Sequence, residues 1–524
     1  MQMKLQNFSK KDKSTNITVI GIIILIYFLL VFFESLTSKY PHGTDCFTHY
    51  YELLHIKQIL LEGFNSNNLI GSFNEAINFV YFDIRRPPIF YILTLSIDIL
   101  ITNLYIVAHY IVPFFYFIIT IIFTFKTSEH IVKKSGIFAV LVLSLFPVTG
   151  EHISGISMYP GLIAIVICSF YYFFKSNFFE NKKYSIIFGF IFGLGLLTKE
   201  QFLLFFVGPF IIIFFNAFTA RKKMNWSNFV YFVFIAFLIG FLPFTIFHVK
   251  TYICHEPFRP SLSNISFQIF YYCKGIFDDL GLPLAIIFLF TLFAGLLKKQ
   301  GHMLIFLFSW LFFVIIGSLF EVRGGNWFQW YYISPAIPGF AIIIGTYLKK
   351  FPSKTFAILL LIAILINPAL SLPYKNHFGP YQTKTFAILH YLKKLGNNIP
   401  KEKLAIGLMR DSWECVLPSD LEVFLKADGY DKVIGGHGFP NIDMLTSKMQ
   451  FDIFLYVTKD KGSFWITENK LQEQVDSLLP ELKNNITHTD IERLLKRKKS
   501  LTLTSTFNYF YNNNHYLVYC YVNN

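Results

Sequence analysis

The chain reads as a polytopic α-helical membrane protein, with about eleven spans plus a juxtamembrane helix, closed by a small C-terminal α/β extracytoplasmic domain. Three observations predict this. Hydrophobic residues make up 54% of the 524 positions and charged residues only 15%, where soluble domains carry about 25% charge. Apolar runs of spanning or near-spanning length recur from residue 17 to residue 371. From about Pro373 the composition turns mixed and charged. The same figures exclude fibrous, disordered and disulfide-scaffold classes.

The first run, Ile17–Phe33, follows a polar, basic N-terminus (1–16) with Lys4, Lys10, Lys11 and Lys13. No small-residue cleavage site follows it, so it reads as a retained first span with a cytoplasmic N-terminus. Further runs lie at 104–125, 136–148, 161–175, 184–198, 202–218, 228–248, 282–298, 303–320, 332–348 and 355–371. They make 17–371 one transmembrane module.

Lys plus Arg is 46 and Asp plus Glu is 32, a net charge of +14. The excess is a topology signal, because basic residues mark cytoplasmic loops. Lys126, Lys133 and Lys134 fall in one loop and Lys182-Lys183 in another. Arg221-Lys222-Lys223, Lys298-Lys299 and Lys349-Lys350 mark three more. They alternate with loops poor in Lys and Arg at 149–160, 199–201 and 321–331. Nucleic-acid binding has no support, since no basic run is interleaved with aromatics in a polar segment.

Parity then decides the run 89–101, which is short and carries Asp98. The first span leads outward and residues 126–135 must be cytoplasmic, so 89–101 and 104–125 cannot both cross. The run 89–101 is expected to be a juxtamembrane or re-entrant helix, covered by protein or lining a wet cavity. The outward segments are then 34–103, 249–281 and everything after 372. An integral protein of a bacterial plasma membrane is the expectation.

In the C-terminal part, 404–409, 451–457 and 515–522 read as strands, and 383–396 and 466–482 as helices. No Walker loop or GxGxxG is present. The six cysteines form no CxxC. Cys254 and Cys273 share one outward loop, where they are either a disulfide or two free thiols.

Polar residues gather on the outward side. In the first loop, Asp45 precedes a helical stretch with Tyr50, Leu53, Leu54, Ile56, Ile59 and Leu60 on an apolar stripe. At a helix start the dipole favours the ionised carboxylate. Asp45 is therefore either a cap or a catalytic base. Arg85-Arg86-Pro87-Pro88 places two guanidiniums outside, against the positive-inside bias. A lipid phosphate is their natural partner, with plain headgroup anchoring as the alternative. Lys199 lies between two spans, either paired with Glu200 or serving as a second phosphate ligand. Glu151 is the carboxylate of the 149–160 loop. In 321–340, Arg323 can pair with Glu321, while Trp327, Trp330, Tyr331 and Tyr332 form an interfacial belt or a platform for a sugar or prenyl group.

In order, these features resemble the GT-C superfamily of glycosyltransferases. The resemblance is to the branch holding the protein O-mannosyltransferases and the lipid A aminoarabinose transferase. It rests on Asp45 before Tyr50 and Tyr51, on Arg86-Pro87-Pro88 leading into Ile89-Phe90-Tyr91, on Thr198-Lys199, on Tyr332 with Pro335 and Pro338, and on the closing α/β domain. It covers roughly residues 15–370. Cys46 stands where the family often has a second acid. Met158-Tyr159-Pro160-Gly161 brings no carboxylate to the next span, and Tyr331 replaces an Arg.

The resemblance implies a polyprenyl-phosphate sugar donor, membrane lipid as surroundings, an acceptor of unstated class, and transfer of one sugar with inversion. It makes Asp45 the base. It makes Arg86, Arg85 and Lys199 the phosphate ligands, with Tyr50, Glu151, Arg323, Trp327 and Tyr332 around the substrates. No cofactor is assigned, and dependence on a divalent metal stays open. The rival readings are a transporter or flippase of lipid-linked sugar, which would more often show internal repeats, and a non-catalytic member of the same fold.

Overall fold

The structure is a computed structural model. It describes residues 10–37, 44–80, 88–146, 149, 153, 155–219, 224–244, 259–260, 280–297, 301–321 and 334–349. Beyond these it describes isolated positions between 388 and 430 and segments 403–410, 432–434, 451–459, 463–464, 486–487, 501–511 and 514–523. Contacts divide the chain into two compact units. One joins Met1–Pro41 with Glu52–Pro373, and the other joins His42–Tyr51 with Tyr374–Asn524.

The first unit is helical. Its helices are α1 (Lys10–Thr37), α2 (Thr44–Asn65, whose first turns group with the second unit), α3 (Leu69–Asn78) and α4 (Ile89–Ile101). Then come α5 (Leu104–Ile131), α6 (Gly136–Ser144), α7 (Tyr159–Lys175), α8 (Lys182–Thr198) and α9 (Leu204–Thr219). Next is α10, Trp226–Ala236, which continues through a π-turn (Phe237–Phe241) to Leu242–Phe244. The set ends with α11 (Leu282–Leu297), α12 (Gly301–Leu319) and α13 (Ile337–Leu348). Every run read as a span from 17–33 to 332–348 coincides with one of these helices. The last run, 355–371, lies outside the described residues. Two helices, α1 and α5, are long and apolar enough by themselves to cross a membrane.

Three helices carry an internal proline, and each case shows how the backbone is rebalanced. Proline has no N–H, so the carbonyl four residues earlier loses its helical partner. In a bilayer that carbonyl must find another donor. Pro209 frees the Phe205 carbonyl, which accepts the Ser309 hydroxyl of α12 at 2.6 Å. Pro113 follows a π-turn at Val107–Ile111 and frees the His109 carbonyl. That carbonyl accepts the Gly155 N–H at 2.8 Å, tying the 149–158 loop to α5. Pro243 sits just after the second π-turn in the same way.

Phenylalanine fills the space between α7, α8, α9 and α10. Phe188 stacks on Phe232 with ring centroids 4.6 Å apart, and Phe170 on Phe206 at 4.7 Å. Lipid tails are as apolar as these rings, so the association is held by close packing rather than by escape from water. Glycine allows the closest approach. A Cβ on Gly240 of α10 would lie 2.6 Å from the Gly193 carbonyl oxygen of α8. Gly189, one turn away on α8, meets the Phe232 carbonyl at the same distance. Gly240→Leu is therefore expected to separate α8 from α10 and to destabilise the protein by about 1–3 kcal/mol, the usual cost of overpacking. A thermal-unfolding series in detergent, with the exposed Gly21→Leu as control, checks this.

The helix α4 is 13 residues long. At 1.5 Å per residue that is about 20 Å, short of the roughly 30 Å hydrocarbon core. It ends at Thr102 in the left-handed conformation (φ 57°), and Asn103 caps α5 through its side chain. Its Ile92, Ile99 and Leu100 are exposed, whereas Phe90, Tyr91, Thr94 and Asp98 are buried. Helix α4 thus turns an apolar face outward and its polar side chains inward.

The short strands β1 (Arg259–Pro260) and β2 (Phe320–Glu321) pair antiparallel in the first unit. The second unit holds β3 (Ile406–Arg410), β4 (Val433–Ile434), β5 (Ile453–Lys459), β6 (Ser463–Phe464), β7 (Ile486–Thr487), β8 (Leu501–Tyr511) and β9 (Asn514–Asn523). Five of them form a mixed sheet in the order β4-β3-β5-β9-β8. The first three are parallel, and β9 pairs antiparallel with both β5 and β8. The central strand β5 is buried from Ile453 to Val457, as a strand covered on both faces requires. Burial pushes the Cys520 thiol of β9 up to about 12, which leaves it unreactive.

The strands expected at 404–409, 451–457 and 515–522 are present as β3, β5 and β9. The helix expected over 383–396 is seen at the described positions Ile388, Tyr391, Leu392, Lys394 and Leu395. The one expected over 466–482 lies outside the described residues. Strand β8 is absent from the sequence expectation.

Candidate functional site

The helix α2 begins at Thr44, so Asp45 lies in its first turn, as expected from the apolar stripe that follows. A carboxylate there sits at the positive end of the helix dipole. Of the stripe, Tyr50, Leu53, Ile56 and Ile59 are buried. The Asp45 side chain lies outside the described residues. So do Arg85, Arg86, Glu151, Arg323, Trp327 and Tyr332, together with Cys254 and Cys273.

Lys199 lies within the described residues. It closes α8 in an extended conformation (φ −165°, ψ 139°), with its N–H bonded to the Gly195 carbonyl at 3.1 Å. Its carbonyl then accepts the Phe202 N–H at 3.0 Å, opening a 3-10 turn over Glu200–Leu203. This break throws the side chain off the helix. The ammonium lies 4.6 Å from the centroid of the Tyr159 ring, at the start of α7. Gly161 makes that approach close, since a Cβ there would meet Tyr116 at 3.1 Å and Thr198 at 3.4 Å. Lys199 is thus held at the junction of the 149–158 loop with the α8–α9 turn. Chain direction puts Lys126, Lys133, Lys134, Lys175, Lys182, Lys183 and Lys349 at the other helix ends.

Two polar bridges missed in the sequence reading join α2 to α4. The Tyr91 hydroxyl donates to the Glu52 carboxylate. Lys57 Nζ lies 2.7 Å from Asp98 Oδ2. Glu52, Tyr91 and Asp98 are all buried, whereas Lys57 keeps about a third of its surface exposed. The signal was in the sequence: a lone Asp in an apolar run needs a cation, and Lys57 is the cation of the preceding amphipathic stretch. In turn α4 packs against α8, which carries Lys199, and against the π-turn of α5. Among the described residues, no cluster of three His, Cys, Asp or Glu side chains could hold a metal ion.

A cavity of ≈ 30 Å³ opens between α5, α6, α7 and the start of α13, lined by Phe117, Thr120, Thr149, Pro160, Ser334 and Pro338 among others. It is about the size of one water.

The chain matches the crystal structure of ArnT from Cupriavidus metallidurans bound to undecaprenyl phosphate, with a TM-score of 0.57 over 96% of this chain and 97% of that one, at 13% identity. It matches the apo state of the same protein with a TM-score of 0.55 over 98% of each chain, at 12% identity. Residues 85–247 match the family profile described as dolichyl-phosphate-mannose-protein mannosyltransferase. The chain has the fold of ArnT.

The resemblance read from the residues is therefore borne out, and it extends past residue 370 to nearly the whole chain. The family match starts at Arg85 and contains Arg86, Glu151 and Lys199, but not Asp45 or the 321–332 stretch. No curated protein sequence matches the chain. At this identity the likeness establishes the fold, that of a polytopic membrane protein.

Proposed function

We propose that this chain is a membrane glycosyltransferase that moves a single sugar from a polyprenyl-phosphate donor to a lipid, glycan or protein acceptor on the outer face of the membrane. The observation that carries this is the chain-long fold match to a protein crystallised with undecaprenyl phosphate. The match of 85–247 to a dolichyl-phosphate-mannose-dependent family supports it.

The chemistry divides among few residues. The Asp45 carboxylate takes the proton of the acceptor hydroxyl. The acceptor oxygen forms a bond to the anomeric carbon from the face opposite the phosphate, which inverts that carbon. The bond from that carbon to the phosphate oxygen breaks, and polyprenyl phosphate leaves with the electron pair. Arg86, Arg85 and Lys199 hold the leaving phosphate, where fixed cations near a low-dielectric boundary outperform water. Tyr50, Glu151, Arg323, Trp327 and Tyr332 complete the sugar and acceptor contacts.

Purified protein assayed against a panel of polyprenyl-phosphate hexoses and pentoses, with lipid, glycan and peptide acceptors, tests the proposal. The expected result is transfer from one donor class, with release of polyprenyl phosphate in equal amount. Binding without transfer from any donor would favour a carrier or a non-catalytic member.

A further inference from the structure

We propose that Glu52, Tyr91, Lys57 and Asp98 form a positioning clamp that sets α4 for donor binding; this role rests on the function proposed above. On α4, Tyr91 and Asp98 are seven residues apart, about 10 Å along the axis. On α2, Glu52 and Lys57 are five apart, about 7.5 Å. One bond would leave α4 free to slide or turn over its apolar neighbours. Two bonds at separated points fix both its register and its rotation. Burial makes them selective, because any other register leaves Asp98, 3% exposed, without its cation. Apolar residues would hold the two helices at lower electrostatic cost but without a unique register.

What the register controls lies immediately upstream. Helix α4 starts at Ile89 with Pro88 as its N-cap. In the sequence, Pro87 and Pro88 stand between Arg86 and that first turn, and proline restricts the backbone of the residue before it. The other wall of α4 is α8, which delivers Lys199. The clamp therefore acts at a helix that follows Arg85 and Arg86 in the chain and packs against the helix leading to Lys199, the three proposed phosphate-holding cations. None of the four clamp residues needs to touch the substrate.

Three variants test this in full-length protein in detergent–lipid micelles: Tyr91→Phe, Lys57→Met, and the exchanged pair Lys57→Asp with Asp98→Lys. Undecaprenyl phosphate binding is measured for the folded fraction, and backbone hydrogen exchange over 89–101 is measured alongside. Lys57→Met is expected to weaken binding about tenfold and to raise the donor KM more than it lowers kcat, as displaced ligand contacts do. Tyr91→Phe should do the same by a smaller factor, with faster exchange in α4 in both. The exchanged pair should recover binding. A merely structural role predicts less folded protein but wild-type affinity in what remains. If exchange rises while affinity stays at the wild-type value, the positioning role is overturned and the proposed function is untouched. If the wild-type protein itself binds no undecaprenyl phosphate, the proposed function falls, and this role with it.

Discussion

Asp45→Asn is expected to lower sugar transfer by about 10²–10⁴-fold while leaving the protein folded, because a positioned general base contributes about that much. The substitution keeps the shape of the side chain and its ability to accept a hydrogen bond. It removes only the capacity to take a proton. Asp45 lies in the first turn of a 22-residue helix, the end where the dipole favours negative charge. The cap reading predicts something different. Asn is as good a cap as Asp, so activity and unfolding temperature would both stay near wild type. Parallel measurement of transfer, undecaprenyl phosphate binding and thermal unfolding separates the two. Lost transfer with intact binding supports the base. Wild-type transfer by Asp45→Asn would remove Asp45 from the mechanism.

Sequence reasoning reached the architecture because bilayers impose simple rules. A span must be long, apolar and helical, and loop charge follows orientation, so 17–33, 104–125 and the runs up to 332–348 could be placed by counting. The run 89–101 was set apart by parity, and the structure has a 13-residue helix there. The 44–65 helix was legible from the stripe of Tyr50, Leu53, Ile56 and Ile59. Strand β8 was legible in principle: Leu501-Thr502-Leu503-Thr504 alternates with period two, and aromatic residues follow. It was missed beside the stronger closing strand with which it pairs.

The bridges between α2 and α4 are another matter. Tyr91–Glu52 and Lys57–Asp98 pair residues some forty positions apart, and helix-local patterns carry no such distance. Their only trace was a misfit, Asp98 in an apolar run. The repairs around Pro113 and Pro209 follow the same logic. The proline predicts an orphaned carbonyl, but not that Gly155 or Ser309 will supply the donor. In this chain the sequence shows where a debt of charge or hydrogen bonding arises, and the fold shows which residue settles it.

Lys199→Met carries the second large effect, an expected fall of about 10²–10³-fold in kcat with a smaller change in donor KM. Removing one preordered group that stabilises developing charge typically costs this much. Before reaction the phosphate already carries charge, and as the sugar leaves it gains more, so the interaction strengthens toward the transition state and appears in kcat. Lys199 is built for that task. The extended backbone at 199 takes it out of α8, the Gly195 carbonyl fixes its amide, and the Tyr159 ring lies 4.6 Å from its ammonium. An aromatic face attracts a cation by about 0.5–2 kcal/mol without removing its charge. Two further variants sharpen the test. Lys199→Arg keeps the charge but changes its shape, and should retain part of the activity. Tyr159→Leu keeps the cation but removes its rest, and should raise donor KM by at most about 30-fold, the upper value of one cation–π contact. If Lys199→Met transfers sugar at the wild-type rate, the leaving phosphate is held without Lys199, and the charge must come from the Arg85-Arg86 pair alone.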